Sequence, residues 1–127
     1  MLTRQTAGML WGGRILTAIP ALMLTASGVM KLMQPPQVLE GFVKFGYQQS
    51  SLIPIGIVEL ACTALYLIPK TSVLGAILLT GYLGGAVATH VRVSDPWFVP
   101  FGAGVLVWAG LFLREQRIRD LIPFLRS

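Results

Sequence analysis

Glu59 is a carboxylate set in the otherwise almost wholly apolar stretch GIVELACTALYLIP, residues 56–69. Lys31, His90 and Arg92 close two further apolar runs, SGVMKL at 27–32 and TGYLGGAVATHVR at 80–92, and Tyr82 stands two turns ahead of His90. An ammonium, a carboxylate, an imidazole and a phenol can hold one another's charge, exchange a proton, or bind the polar head of a ligand. A carboxylate isolated in hydrocarbon takes up a proton, whereas a neighbouring ammonium keeps it ionised. Glu59 is therefore expected to face a protein interior and to pair with Lys31 or His90. Ionisable groups at such depth usually mark function. Lys31, Glu59, His90, Arg92 and Tyr82 form the candidate ligand-binding or polar site, set against plainer readings. A lysine at a helix end can simply snorkel to the headgroups, His90 and Arg92 can anchor a helix end, and Tyr82 can be a core tyrosine.

Other chemistry is missing from the chain. Cys62 is the one cysteine, which excludes an internal disulfide, a CxxC redox pair and a cysteine zinc site. There is no phosphate-binding loop, no Ser–His–Asp set, and no pair of histidines able to hold haem. No catalytic residue and no metal ligand is assigned, and nothing in the sequence supports a self-sufficient enzyme.

The elements that position these residues follow from composition. Of 127 residues 54% are hydrophobic and 12% charged, against about 25% charged in an ordinary soluble domain; the mean hydropathy is +0.72. A spanning helix needs about 20 mostly apolar residues. Four segments answer, at about 13–33, 52–69, 71–91 and 97–113. The second and third are separated by little more than Lys70, so they must form a tight helical hairpin. Pro69 ends one helix there, and Thr71 or Ser72 is expected to cap the next. Arg4 and Arg14 before an apolar run resemble a signal peptide, but no clean cleavage site follows, so the first segment is read as a retained span.

Four spans put both termini on one side, with Arg4, Arg14, Lys70, Arg114, Arg117, Arg119 and Arg126. Only Lys31, Lys44 and Arg92 fall on the other, and the positive-inside rule then places the termini in the cytoplasm. The net charge of +5 is read as topogenic rather than as a nucleic-acid footprint. Glu59 lies roughly 10 Å below the outer end of its span at 1.5 Å per residue. Helical side chains lean toward their own N-terminus. Lys31 and His90 thus lean into the membrane, Glu59 leans outward, and the three converge on one level.

Between the first two spans, Val38, Leu39, Phe42, Val43 and Phe45 recur at helical spacing after Pro35–Pro36. That segment is too short to span and is expected to be an interfacial helix, with Glu40 and Lys44 as an i,i+4 pair on its polar face. The tail REQRIRDLIPFLRS is expected along the cytoplasmic surface. Gly81 and Gly85 form a GxxxG motif, extended by Gly84 and Ala88, of the kind that permits close helix contact.

SGVMKL (27–32), GIVELACTALYLIPKT (56–71) and GAILLTGYLGGAVATHVR (75–92) closely resemble the DoxX-like integral membrane proteins of bacteria. The likeness runs from the first span through WAGLFLRE at 108–115. It implies one membrane domain over 1–127, four helices, location in the inner membrane, and a shared polar site at Lys31, Glu59 and His90. The wider DoxX group includes a membrane subunit of a thiosulfate:quinone oxidoreductase and members of oxidative-stress complexes, so the resemblance implies redox or stress connections. The fold expected is an all-α, antiparallel four-helix transmembrane bundle with a short interfacial helix between the first two spans. The favoured function is a non-catalytic subunit or assembly partner in the membrane. The alternatives are a binder of a small amphiphile such as a quinone and, ranked below it, a small transporter. The lipid bilayer, a membrane or redox protein and a second copy of the chain are the partners considered; nucleic acid is excluded.

Overall fold

The structure, a computed structural model, describes residues 5–125, and every regular element among them is helical. The helices are α1 (Ala7–Met33), α2 (Pro36–Lys44), α3 (Leu52–Leu67), α4 (Ser72–Arg92), α5 (Phe98–Arg114) and α6 (Gln116–Leu121). Short 3-10 turns at Gln49–Ser51 and Pro69–Thr71 precede α3 and α4. Among the described residues three helical segments are long and apolar enough to cross a membrane, Ala7–Met33, Gln49–Leu67 and Pro69–Arg92, and α5 is a shorter apolar helix. The expectation of an all-helical chain is met.

α1 begins six residues earlier than the apolar run, at Ala7, because the Thr6 side chain accepts from Met9 N and caps it. It ends at Gln34, which turns left-handed at φ 56° before Pro35 and Pro36 forbid continuation. The α3–α4 hairpin closes differently from expectation. Thr71 and Ser72 do not cap α4; their hydroxyls donate backward to Leu65 O (2.8 Å) and Tyr66 O (2.7 Å). The free carbonyls at the end of α3 are satisfied in this way.

α1 packs on α3 and α5, and α4 packs on the same two. Backbones meet at glycines: a Cβ at Gly13 would lie 2.9 Å from Gly110 O, one at Gly56 would lie 3.0 Å from Gly28 O, and one at Gly75 would overlap the backbone of Tyr66. The GxxxG motif behaves otherwise. At Gly81, Gly84 and Gly85 a Cβ would meet nothing within 4 Å, so the motif makes no close contact inside this chain. The buried cluster holds Leu24, Cys62, Tyr66, Ala76, Leu79, Leu83, Ala103, Val107 and Leu111. Large aliphatic side chains point outward from every long helix, among them Leu22, Ile57, Ile77 and Val105. In water such a surface would drive association; against lipid tails it costs nothing, and close packing through small residues holds helices together.

α2 keeps the amphipathic character read from its spacing, but its apolar face turns onto the bundle. Phe42 and Phe45 line a cavity beside α4, while Val43 is exposed. Lys44 pairs with Asp95 at 2.7 Å rather than with Glu40. The tail also differs from a helix lying on the surface. α6 folds back so that Ile118 and Arg119 are buried, and Arg119 donates to Phe112 O and Leu113 O at the end of α5 and to Gln5 Oε1.

Candidate functional site

α3 carries Glu59 on the face turned toward α1 and α4, where the residue is 1% exposed. Its Oε1 accepts from Lys31 Nζ (2.8 Å), Tyr82 OH (2.8 Å) and Ser27 Oγ (3.3 Å). Lys31 also donates to Ser27 Oγ at 2.6 Å, so ammonium, hydroxyl and carboxylate close a triangle of hydrogen bonds. α1 supplies Ser27 and Lys31 one turn apart, a spacing that puts both on one face, and α4 supplies Tyr82. Thr63 Oγ1 bonds the Glu59 carbonyl at 2.8 Å and stays within α3. A buried carboxylate is tolerable only with charge and hydrogen bonds supplied around it, and three donors from two other helices provide both.

Lys31 and Tyr82 also face a cavity of about 470 Å³, lined as well by Phe42 of α2, Phe45 just after it, Tyr47, Ile55 and one face of α4. Gly81 and Gly85 form part of the α4 wall. With no side chains there, the motif leaves room instead of a helix contact. Lys31 Nζ stands 5.8 Å from the centre of the Phe42 ring. His90 lines the same cavity but does not reach Glu59. Its Nδ1 is 2.6 Å from Ala86 O, and its ring lies 4.7 Å from that of Phe45. A carbonyl only accepts, so Nδ1 carries the proton, and a neutral ring presents Nε2 as an acceptor.

Arg92 does not line the cavity. It donates to Phe45 O and pins the turn at Gly46, whose φ is 87°. With the Lys44–Asp95 pair and the Tyr47–Thr89 hydroxyl contact at 3.0 Å, it fastens the α2 segment to the end of α4. Of the five site residues read from sequence, Lys31, Glu59 and Tyr82 meet directly, His90 shares their cavity, and Arg92 holds its cover. Sequence reasoning passed over Ser27, Phe42, Phe45 and Tyr47. Ser27 was legible as the residue four before Lys31. The aromatic residues were not, since their inward aim depends on how α2 folds back.

At the other end, outside the apolar helices, the Glu115 carboxyl is held below its usual range, first by its hydrogen bond from Arg117 at 2.9 Å. The same bond raises the Arg117 guanidinium.

Several long apolar helices that turn aliphatic side chains outward, around a packed interior that also holds a buried polar site, define a multi-pass membrane protein. The chain belongs to the DoxX-like family, whose model matches residues 15–112. No curated protein and no solved structure shows significant similarity to it.

Proposed function

We propose that this protein binds a small amphiphile, such as a quinone, in the cavity beneath α2. In this reading α1, α3, α4 and α5 form an antiparallel four-helix transmembrane bundle in the bacterial cytoplasmic membrane. Both termini lie in the cytoplasm and the cavity lies in the outer half of the bilayer. The observation that carries the reading is a 470 Å³ space with mostly apolar and aromatic walls and a few convergent polar groups, the usual make-up of a small-molecule site. Two of the three Lys31 N–H groups are engaged by Ser27 and Glu59, which leaves the third for a ligand oxygen. His90, whose Nδ1 is committed to Ala86 O, has its other ring nitrogen left to accept from a ligand hydroxyl.

The test is the lipid extract of protein purified in mild detergent, compared with Gly81→Phe and Gly85→Phe variants. Both positions line the cavity, and a Cβ at either would meet nothing within 4 Å, so a ring placed there is expected to occupy the cavity. A retained isoprenoid or similar amphiphile that both variants lose, at unchanged melting temperature, supports the reading. Equal retention by wild type and variants sinks it.

A second reading, a non-catalytic subunit, draws on one observation. A groove of about 630 Å³ runs between α4 and α5 past Gly84, Gly104, Phe101 and Trp108. Small residues beside aromatic ones suit a partner's transmembrane helix. A protein that co-purifies stoichiometrically, and is released by Gly84→Leu, would favour it.

A further inference from the structure

The basic end of the molecule contains a second, separate cavity of about 730 Å³, bounded by α1, the α3–α4 hairpin and the α5–α6 junction. Arg14, Lys70, Arg114 and Arg117 face it, with Glu115 as the one carboxylate. Glu115 is bonded by Arg117. Among the described residues Arg14, Lys70 and Arg114 enter no ion pair.

Arg114 is not a loose surface cation. Its Nε donates to Thr17 Oγ1 (2.8 Å) and its Nη2 to Ser72 Oγ (3.0 Å), and its guanidinium lies 5.1 Å from the centre of the Tyr66 ring. Thr17 and Ser72 are themselves buried. The chain continues through the Thr17–Tyr66 hydroxyl contact at 3.3 Å to Val107 O, which accepts from Tyr66 at 2.6 Å. Three helices therefore fix the orientation of the fork before any ligand arrives. All these hydrogen-bond partners are neutral, and Glu115, the neighbouring carboxylate that feels the Arg114 charge, is bonded by Arg117 instead. With Nε and one Nη2 N–H committed to Thr17 and Ser72, the Nη1 side of the guanidinium is left to meet phosphate oxygens in two-point contact, and Lys70 and Arg14 add charge at the rim. Leu10, Leu67 and Val73 continue the wall as apolar surface.

We infer that this cavity binds the phosphate of an anionic phospholipid from the leaflet at the basic end of the bundle. Arg114 is the oriented anchor, and Arg14 and Lys70 set affinity. The headgroup enters between α1 and the hairpin, and an acyl chain follows the Leu67–Val73 side. The inference is independent of the ligand read for the Glu59 cavity, which lies at the opposite end.

The experiment uses the full chain in neutral detergent, stripped of lipid and titrated at low salt with phosphatidylglycerol, phosphatidylcholine or inorganic phosphate. Native mass spectrometry counts bound lipid, and melting is followed in parallel. One phosphatidylglycerol should be held per chain and should raise the melting temperature, with phosphatidylcholine giving neither effect. Arg114→Gln removes a tether between helices as well as a charge, so the deciding variants are Arg14→Gln and Lys70→Gln. Each should weaken phosphatidylglycerol binding about five-fold, and both together about 25-fold. Undiminished binding in the double variant, or equal binding of phosphatidylcholine, overturns the inference. Equal stabilisation by inorganic phosphate alone overturns the lipid assignment.

Discussion

Oε1 of Glu59 takes three hydrogen bonds, and the donors differ in what their loss leaves behind. Lys31→Leu strands a carboxylate that is 1% exposed; Glu59→Leu strands an ammonium whose side chain is 13% exposed. Breaking a buried pair from one side typically costs about 3–5 kcal/mol, while replacing both members by apolar groups is nearly neutral. Each single change should lower the melting temperature in detergent, the lysine change more, and the double change should recover much of the loss. A coupling below about 0.5 kcal/mol would mean that the two do not act as partners. Tyr82→Phe removes a donor and no charge. It should cost about 1.5–3 kcal/mol, the range for a hydrogen bond to an ionised group, and the loss should disappear in a Glu59→Leu background. A Tyr82→Phe cost that persists there would assign the tyrosine to packing instead.

The glycines divide at the scale of the helices, and the division can be measured. Gly75→Ala drives a methyl into the backbone of Tyr66, and Gly110→Ala drives one to 2.5 Å from the buried Thr17 Oγ1 and 2.9 Å from Thr17 N. Neither neighbour is a flexible side-chain tip, so both variants should lose stability by about 1–3 kcal/mol or more, the usual cost of overpacking. Gly84→Ala meets open space and should be neutral or stabilising by up to about 1 kcal/mol, from helix propensity. Melting temperatures of the three in one detergent decide the matter, and a destabilised Gly84→Ala would mean that the α4 face is occupied. The contrast also marks the limits of the sequence. The GxxxG spacing is a local pattern and identified α4 as a contact helix, but true contacts are made by glycines outside any such motif, Gly13, Gly28, Gly56, Gly75 and Gly110. Their role depends on which helices are neighbours, which no single helix encodes. The helix ends themselves were legible to within a few residues except at α1, where the Thr6 cap extends the helix past the apolar run. That Glu59 meets a basic residue from a neighbouring helix was legible because Cβ direction and span polarity are both fixed by chain order, but these left Lys31 and His90 open as the partner, and the structure pairs it with Lys31. The placement of Arg92 was not legible for the opposite reason: its partner, Phe45 O, lies in a segment whose fold-back leaves no periodic signal.

For the whole molecule, the two ends carry different electrostatics, and orientation in the membrane decides which ligand each can meet. One end closes a cavity with Lys31, His90 and the α2 cover; the other gathers Arg14, Lys70, Arg114 and Arg117. The excess of cations at the second end is what the positive-inside rule reads as cytoplasmic, and it is also the end suited to an anionic leaflet. Gln49, in the exposed turn before α3, and Phe124, an exposed residue after α6, lie beyond opposite ends of α3 and α5. Single cysteines at these positions, in a Cys62→Ala background that removes the buried native thiol, convert orientation into an accessibility measurement. In intact cells a membrane-impermeant thiol reagent should label Gln49→Cys and leave Phe124→Cys unmodified until the membrane is opened. Labelling of both in intact cells would break the four-span count, since an odd number of crossings puts the tail outside. Labelling of Phe124→Cys alone would invert the molecule. The Glu59 cavity would then open toward the cytoplasmic leaflet, and the basic cavity would face a leaflet whose charge no longer explains it.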